Sequence, residues 1–149
     1  IRYFPEECIP RNIIRAKEEI EYNLDLFRYR RSIYWAVALK ESNKLIGSCG
    51  FNYWNRDHFR GEISYDLCKE YWGRGIMSKS VNAVLGFAFT QMQLNRVEAT
   101  VTPSNKRSQK LLKKMGFKKE GILREQKLLH GKFEDAIIMS LLKKEYIKL

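Results

Sequence analysis

The segment best suited to binding chemistry is a glycine turn at 71–78, which reads YWGRGIMS. Glycines let backbone N–H groups approach an anion closely, and the start of a helix adds partial positive charge. The segment therefore predicts a pyrophosphate site, with a simple chain reversal as the alternative. It is not a Walker loop, because Gly-Lys followed by Ser or Thr is missing, and it lacks the GxGxxG spacing of dinucleotide sites.

Other reactive patterns are missing from the chain. No GxSxG motif occurs, and Cys49 falls within a predicted strand with no histidine beside it to activate the thiol. The three cysteines and two histidines form no CxxC pair and no zinc-ligand spacing. We interpret the cysteines as reduced structural thiols, and we expect no metal and no covalent intermediate.

The glycine turn joins a predicted strand to a predicted helix. Residues 61–69 alternate polar with apolar side chains, which predicts a half-buried strand with one polar face. Residues 76–93 place apolar side chains at steps of three and four, which predicts a helix. A further strand follows at 96–102. Because this unit is a crossover, its two strands are predicted to run parallel.

The remaining segments complete a single α+β domain over 1–149. Residues 12–30 predict an amphipathic helix that docks by one apolar face, and residues 104–115 predict a basic amphipathic helix. Two antiparallel hairpins are predicted, one from 33–40 with 45–54 and one from 117–129 with 133–142. The predicted sheet is mixed and mostly antiparallel, with helices flanking it. The chain opens on Ile1, and its first residues look mid-domain, so we expect an upstream segment.

The composition is that of an ordinary folded domain with excess positive charge. Twenty-eight Lys and Arg against 17 Asp and Glu give a net charge of +11, which favours anionic partners or a solvated basic face. No apolar run reaches the ~18–20 residues that span a bilayer, so we expect no membrane partner. The first residues do not resemble a secretory signal, which makes a cytoplasmic location the default.

In its wider context the glycine turn resembles the acetyl-CoA loop of GCN5-related N-acetyltransferases (GNAT), Gln/Arg-x-x-Gly-x-Gly/Ala. Gly75 matches, whereas Trp72 and Met77 depart from the first and last positions. The segments EISYDLCKEYWGRG, LNRVEATVTPSNKRSQKLLKKMGF and EGILRE resemble the Rim-type ribosomal-protein alanine N-acetyltransferases. The resemblance covers about 45–142 and, more loosely, 1–40. It implies the GNAT fold, with a family strand and helix that would precede Ile1.

The resemblance also implies a cofactor site between two splayed strands. Leu67 and Cys68 would offer backbone groups to the pantetheine, and Asn105 would bond it, with a helix cap as the alternative role for Asn105. The pyrophosphate would be held by the amides of Arg74, Gly75, Ile76, Met77 and Ser78. Lys and Arg side chains of the basic helix, including Arg107, are candidates for the CoA 3′-phosphate or for a solvated face.

Two side chains are candidates for proton transfer. An attacking amine must lose a proton, and Glu62, on the polar face of the strand that enters the turn, is the first candidate base. The alternatives are Asp66 or water as the base and an ion-paired structural role for Glu62. By resemblance, the Ser108 hydroxyl would lie near the thioester sulfur and protonate the leaving thiolate, the alternative being an exposed helix serine.

The expected activity is direct transfer of an acetyl group from acetyl-CoA to a primary amine in a ternary complex. The favoured acceptor is a protein N-terminus, such as that of a ribosomal protein. A small amine, such as a polyamine or an antibiotic, is the alternative acceptor. A non-catalytic basic module that binds RNA or the ribosome is the rival from another class. Contact with nucleic acid is not itself predicted, because no RNA-recognition signature occurs.

Overall fold

The computed structural model describes residues 12–146 of the 149-residue chain. The described strands are β1 (Ile33–Ala38), β2 (Leu45–Asn55), β3 (Arg60–Leu67), β4 (Arg96–Val101), β5 (Lys118–Leu129) and β6 (Lys132–Leu142). The described α-helices are α1 (Ile13–Arg28), α2 (Ile76–Thr90), α3 (Lys106–Lys114) and the one-turn α4 (Lys143–Tyr146). A 3₁₀ turn over Lys69–Tyr71 leads out of β3.

The six strands form one sheet in the order β1-β2-β3-β4-β6-β5. Only the β3–β4 pair is parallel among these neighbours, and α2 connects its two strands. The other four pairs are antiparallel, and three of them, β1–β2, β2–β3 and β5–β6, join consecutive strands. The predicted α+β class, the mixed sheet and the parallel crossover are therefore confirmed.

The two central helices form where the sequence spacing predicts them. In α2 the buried side chains recur every three or four residues, from Met77 and Val81 to Leu85 and Ala88. Helix α3 ends before Gly116, whose φ of +88° suits a helix C-terminus that only glycine adopts without strain. Among residues 12–146, none of the helices combines the length and the apolar character that a membrane crossing requires.

One face of the sheet carries the core. Phe51, Ile63 and Val97 project from β2, β3 and β4 into a cluster that also contains residues of α2 and Leu112 of α3. Because side chains alternate along a strand, the intervening residues project from the opposite face. On β3 that opposite face consists of polar side chains, as the sequence predicts. The sheet thus has a dry face packed by α2 and α3 and a polar face behind it.

The predicted docking of the N-terminal helix is wrong for the residues described. Helix α1 buries none of its side chains, and Ile13, Ile20, Leu24 and Phe27 of its apolar face are between 47% and 71% exposed. No element within residues 12–146 covers this face. The N-terminus of α1 is stabilised by Asn12, whose side-chain oxygen accepts a hydrogen bond from the amide of Arg15. After the last residue of the helix the chain turns into β1.

The two cysteines in the described part of the chain agree with a structural interpretation. Cys49 is buried in the core, and burial raises the pKa of its thiol to about 12, so that the reactive thiolate is disfavoured. Cys68 is exposed, and it forms no disulfide with the other described cysteine. Cys8 lies outside the described residues.

Candidate active site

The centre of the candidate site is a gap between β3 and β4. The two strands pair only from Arg60 opposite Arg96 to Glu62 opposite Glu98. Beyond that point β3 continues to Leu67 and β4 to Val101 without pairing to each other. Two strands that leave a shared ladder expose backbone N–H and C=O groups along their inner edges. The gap can therefore accept an extended ligand that carries amide groups.

The hydrogen bonds of β3 define which backbone groups face the gap. The amide of Cys68 donates to the carbonyl of Ile46 on the β2 side at 2.8 Å. Because successive peptide groups of a strand point to opposite sides, the N–H and C=O of Tyr65 and Leu67 point away from β2, toward the gap. The carbonyl of Leu67 accepts a hydrogen bond from the Trp72 indole Nε1 at 2.7 Å. The amide of Leu67 is thus the group of this residue best placed for a ligand.

The expectation for Cys68 is wrong as far as its amide is concerned. Its N–H bonds Ile46, and its carbonyl already accepts from the amide of Tyr71 at 3.0 Å, closing the 3₁₀ turn. The last amide of β3 that can donate to a ligand in the gap is therefore that of Leu67, one residue earlier than the resemblance implies. The physical reason is that the chain bends into the turn at Cys68 while the β2 ladder still holds that residue.

The glycine turn presents free amides at the start of α2. Gly73 and Gly75 have φ values of +79° and +75°, and Gly75 is the N-cap of the helix. No side chain of the described residues caps this end, so the amides of Gly75, Ile76, Met77 and Ser78 lack an acceptor within the helix. A Cβ on either glycine would meet no atom within 4 Å, which shows that the turn's outer side is open.

Met77 does not obstruct this turn, although the family has a small residue at its position. Its side chain is only 9% exposed and belongs to the core cluster beneath α2. A side chain in the first turn of a helix can point inward while its amide points along the helix axis to the outside. The Met77 side chain therefore packs in the core and does not fill the space outside the turn.

Several cations surround the turn, and aromatic rings hold three of them. The Arg74 guanidinium lies 5.4 Å from the centre of the Tyr71 ring, and Lys44 Nζ lies 5.8 Å from the same centre. The Arg107 guanidinium, from α3, lies 4.6 Å from the centre of the Trp72 ring. Cation–π contacts of this kind restrict otherwise mobile side chains. Positive charge is thus concentrated beside the free amides.

Asn105 and Ser108 meet at the start of α3. The Asn105 side-chain oxygen caps the helix by accepting from the Ser108 amide at 3.1 Å, so the alternative role predicted for Asn105 is present. The side-chain NH₂ of Asn105 remains for a further acceptor. The Ser108 hydroxyl shares a hydrogen bond with the Tyr65 hydroxyl at 2.7 Å. Because Tyr65 belongs to β3, this bond joins α3 to the strand that borders the gap.

Tyr65 is a site residue that sequence reasoning missed. The alternation of β3 places Tyr65 with Ile63 and Leu67 on the apolar face, and the strand pattern does not reveal that its hydroxyl reaches α3. Burial raises the pKa of Tyr65 to about 12, against a smaller lowering effect of the Ser108 hydrogen bond. The phenol therefore keeps its proton at neutral pH and can donate it to Ser108.

Glu62 and Glu98 lie side by side where the two strands stop pairing, and they differ in their partners. The Glu98 carboxylate contacts Arg96 Nε at 2.7 Å and the Arg60 guanidinium at 3.7 Å. Glu62 is partly buried, and within residues 12–146 its carboxylate makes no ion pair or hydrogen bond. The ion-paired structural role that the sequence leaves open for Glu62 therefore belongs to its neighbour Glu98.

The other polar residues of β3 face the same side as Glu62. Asp66 is exposed and accepts a hydrogen bond from the Ser48 hydroxyl of β2. Tyr34 of β1 crosses over Gly50, where an added Cβ would lie 2.8 Å from the tyrosine ring. The phenol donates to the Asn52 side-chain oxygen. Burial raises the pKa of Tyr34, and the negative charges of Glu62 and Asp66 raise it further, despite a hydrogen bond with Ser64.

Glu62 and Ser108 therefore approach the gap from opposite faces of β3. Ser108 bonds Tyr65, which projects from the core face, whereas Glu62 projects from the polar face. A group that lies in the gap can have a base on one side and a hydroxyl donor on the other. This arrangement suits transfer of an acyl group between two ligands that enter from opposite faces.

Comparison with known proteins agrees with this geometry. A model of the acetyltransferase (GNAT) domain matches residues 1–118. The chain belongs to the GNAT acetyltransferases. Members of this family use acetyl-CoA as the acyl donor, and the chain is accordingly an acetyl-CoA-dependent N-acetyltransferase. The splayed strands and the glycine turn of this GNAT domain are those that the resemblance in the sequence implies.

The proteins that are similar to this GNAT domain are named for different acceptors or for none. An uncharacterized N-acetyltransferase p20 of Bacillus licheniformis is 38% identical over 135 residues, which cover 91% of this chain and 76% of the relative. The spermidine N(1)-acetyltransferase of Escherichia coli is 26% identical over 93 residues, 62% of this chain and 50% of that one. The crystal structure of a ribosomal-protein-S5-alanine acetyltransferase from Vibrio fischeri has a TM-score of 0.84 at 27% identity, covering 97% of this chain and 80% of that one.

Proposed function

We propose that this acetyltransferase acetylates the N-terminal amine of a protein, with Glu62 as the base and Ser108 as the proton donor to the leaving thiolate. The observation that carries the proposal is the position of Glu62 at the closed end of the gap, where no group of residues 12–146 pairs with its carboxylate. The resemblance to Rim-type enzymes and the similarity to a solved ribosomal-protein-S5-alanine acetyltransferase support the choice of acceptor.

The residues around the gap fit acetyl-CoA. The amides of Gly75, Ile76, Met77 and Ser78 would hold the pyrophosphate, together with that of Arg74. The amide of Leu67 and the side-chain NH₂ of Asn105 would bond the pantetheine. The open outer side of Gly73 and Gly75 leaves room for the phosphates, which larger residues would fill. The cofactor supplies an acetyl group activated as a thioester.

Glu62 and Ser108 would divide the proton transfers between them. Glu62 accepts the proton that the amine nitrogen must lose as its bond to the acetyl carbon forms. On the other face of β3, Ser108 donates its hydroxyl proton to the sulfur as the carbon–sulfur bond breaks. Tyr65, 2.7 Å from Ser108, then supplies a proton to the serine oxygen, and the tyrosine regains its proton from solvent before the next turnover. Since the pKa of Tyr65 is about 12, the phenol is protonated and ready for this step at neutral pH.

The charge of the polar face favours a single amine over a polyamine. A polyamine carries several positive charges, and a site that binds it benefits from several free carboxylates. On β3 and β4 the face offers Glu62 and Asp66, while Glu98 is neutralised by Arg96 and Arg60. One free base and one carboxylate at the rim suit an acceptor with one reacting amine and an uncharged chain behind it.

A competition experiment tests the acceptor. The enzyme is incubated with acetyl-CoA and equal amounts of spermidine and of a peptide that begins with a free alanine, and the products are identified by mass spectrometry. We expect acetyl-peptide as the main product. A copy of the peptide with a blocked N-terminus but an intact lysine is the control and should stay unmodified. Preferential acetylation of spermidine or of the lysine would overturn the proposed acceptor.

The rival function, a non-catalytic basic module, makes the opposite prediction for the ligands. Such a module would bind RNA with a strong salt dependence, and acetyl-CoA would not bind it. Calorimetric titrations of the protein with acetyl-CoA and with a structured RNA separate the two functions. Saturable binding of acetyl-CoA together with weak, unspecific RNA binding is the result that supports the enzyme.

A further inference from the structure

Two short basic segments meet at the end of the sheet where β1 begins and β2 turns into β3. Residues 28–31 read RYRR, and residues 54–60 read WNRDHFR. The amide of Trp54 donates to the carbonyl of Arg31 at 2.8 Å, which joins the two segments through their backbones. The exposed side chains at this junction form what we call the arginine–aromatic surface: Tyr29, Arg30, Arg31, Arg56 and Phe59.

The arginines of this surface are not paired with carboxylates of the described residues. None of the ion pairs within residues 12–146 includes Arg30, Arg31 or Arg56, and Asp57 of the same loop is likewise outside them. The Arg56 guanidinium lies 5.8 Å from the centre of the Trp54 ring, a contact that limits its freedom. Guanidinium groups present planar forks of N–H donors that fit phosphate oxygens. Three of them are therefore available to an anionic partner.

Two aromatic rings lie next to these arginines in the chain and remain largely in solvent. Tyr29 is 76% exposed and Phe59 is 52% exposed. Phe59 has a φ of +48°, which is uncommon for a bulky residue, and its carbonyl accepts hydrogen bonds from the amides of Asn95 at 2.7 Å and Arg96 at 3.2 Å. Rings that stay exposed beside arginines can stack on unpaired bases while the guanidinium groups bind phosphates.

This surface is remote from the cofactor turn. Strand β3 runs from Arg60, beside the surface, to Leu67, beside the glycine turn, a length of roughly 23 Å at about 3.3 Å per residue. The acetyl-transfer steps proposed above use none of its side chains. Neither segment carries an RNA-recognition signature by itself, and only the pairing of the strands brings the two together.

We propose that the arginine–aromatic surface binds single-stranded nucleic acid, with its arginines on the phosphates and with Tyr29 and Phe59 stacked on bases. Charge complementarity supports a polyanion, since the chain carries a net charge of +11 and the arginines here have no carboxylate partners among residues 12–146. A run of acidic side chains would offer the two rings nothing to stack on, and a duplex keeps its bases paired inside. The surface adds a second binding function to the enzyme.

Fluorescence anisotropy with a labelled oligo(U) tests the arginines. A triple variant that combines Arg30→Gln, Arg31→Gln and Arg56→Gln should bind the oligonucleotide at least ~10-fold more weakly than the parent. The slope of the logarithm of affinity against the logarithm of salt concentration should fall by about 2, since each phosphate contact on a single strand contributes about 0.7.

The matched control removes the same charge from the other side of the sheet. Lys119→Gln, Arg124→Gln and Lys132→Gln, all at exposed positions of β5 and β6, are combined in one variant that should change oligo(U) affinity less than ~3-fold. Equal losses in the two triple variants would overturn the inference, because net charge alone would then attract the nucleic acid.

The aromatic rings are tested by substitutions that keep the charge. Phe59→Asn removes the ring at a φ that asparagine tolerates, and it should weaken oligo(U) binding ~5-fold or more while leaving binding of duplex RNA unchanged. Phe133→Asn is the control, since Phe133 is 67% exposed on β6 and its loss should have no effect. Thermal melting confirms that each variant is folded. Unchanged oligo(U) affinity in both Phe59→Asn and Tyr29→Asn would show that no base is bound.

Competing ligands identify the partner. Tighter binding of oligo(U) than of oligo(dT) identifies RNA, and equal binding identifies single strands of either kind, both in agreement with the inference. Displacement of oligo(U) by polyglutamate at equal charge concentration would instead indicate a surface for acidic peptides and overturn it.

Acetylation assays separate this inference from the proposed function. The arginine triple variant should acetylate an alanine peptide at the rate of the parent, and a loss of that activity would place these arginines in the catalytic site and contradict a separate surface. If the parent acetylates no amine while oligo(U) binding still depends on the arginines and on Phe59, the proposed function fails and the nucleic-acid surface stands.

Discussion

At the scale of single residues, two adjacent glutamates on neighbouring strands have different partners. Glu98 is held by two arginines, and Glu62, its partner across the ladder, has none within residues 12–146. A carboxylate that already bonds arginine is a poor base, because its ionised form is stabilised and its oxygens are occupied. Glu62 is therefore the carboxylate that we expect to take a proton.

We predict that Glu62→Gln keeps acetyl-CoA affinity and lowers the acetyl-transfer rate ~10²–10⁴-fold, the usual contribution of a general base. The shape of the side chain is retained, and only its basicity is lost. The rate difference should shrink as pH rises, because more of the acceptor then arrives as the free amine. Steady-state rates across pH 6–10 provide the measurement. Asp66→Asn is the control, and a larger loss there than in Glu62→Gln would move the base to Asp66.

Gly75→Val should weaken CoA binding at least ~10-fold, because a β-branched residue resists φ near +75° and its side chain would occupy the open side of the turn. Calorimetric titration with CoA measures the effect. Gly131→Val is the matched control, since Gly131 has a φ of +74° in the distant β5–β6 turn and should lose stability without losing CoA affinity. Equal CoA affinity in the parent and Gly75→Val would mean that the glycine only turns the chain.

At the scale of elements, the site depends on how β1, β2 and β3 pair side by side in the sheet. Gly50 of β2 lies so close to β1 that an added Cβ would be 2.1 Å from the Ile33 carbonyl oxygen and 2.6 Å from the Tyr34 Cα. The missing side chain lets the Tyr34 ring cross β2 toward the polar face of β3. A side chain at Gly50 would therefore disturb both β1 at the sheet edge and the polar face of β3.

We predict that Gly50→Ala destabilises the protein by about 2 kcal/mol or more, since backbone atoms must move to admit the methyl group. Urea unfolding followed by circular dichroism measures the change. Gly121→Ala, on edge strand β5, is the control, because a Cβ there meets no atom within 4 Å, and its cost should stay within about 0.5 kcal/mol. Similar stabilities for both variants would show that β1 adjusts to the methyl group without cost.

A charged network fixes the closed end of the gap. Arg96 joins Glu98 of its own strand to Glu120 of β5, and the Ser140 hydroxyl of β6 donates to Glu120 at 2.6 Å. Hydrogen bonds from Arg96 and Ser140 lower the pKa of Glu120 to about 2. Because the folded pKa lies below the ordinary value of 4.5, the contribution of Glu120 to stability is present above pH 4.5 and is lost as pH falls toward 2.

Glu120→Gln should therefore lower the free energy of unfolding by about 1 kcal/mol at neutral pH, a modest value because the carboxylate is partly exposed to solvent. The difference from the parent should disappear between pH 4.5 and 2. Denaturant unfolding at several pH values follows both effects. Glu41→Gln, in the β1–β2 turn, serves as the comparison, and an identical pH dependence in the two variants would contradict the assignment to Glu120.

At the scale of the whole molecule, positive and negative charges lie at different parts of the site. The chain carries a net charge of +11, and several of its cations surround the glycine turn and the start of α3. The polar face of β3, in contrast, carries Glu62 and Asp66. An anionic cofactor and an amine acceptor are thus attracted to different faces of the same sheet.

Acetyl-CoA should stabilise the whole domain, because we propose that its phosphates and pantetheine bond amides of the glycine turn and of β3. At a concentration about 100 times the dissociation constant, linkage predicts a gain of roughly 2.7 kcal/mol and a rise in Tm of about 5–10 °C. Differential scanning calorimetry with and without acetyl-CoA measures it, with acetate as the control ligand. An unchanged Tm at saturating acetyl-CoA would contradict the cofactor assignment.

The sequence alone determined those features that depend on neighbouring residues. The glycines of 73–75 predict the turn, the spacing of apolar side chains predicts α2 and α3, and the crossover predicts that β3 and β4 run parallel. The alternation of 61–69 also places Glu62 on a polar face. Each of these follows from local backbone preference and from the periods of helix and strand.

Only the tertiary structure decided which distant groups meet. The Tyr65–Ser108 bond joins residues 43 apart in sequence, and Arg107 reaches Trp72 from another helix. The same holds for the carboxylate that Arg96 and Arg60 neutralise, for Tyr34 over Gly50, and for the apolar face of α1, which no element of residues 12–146 covers. Such contacts depend on strand register and on where a ladder ends, which are set by the packing of the whole sheet and not by any local pattern.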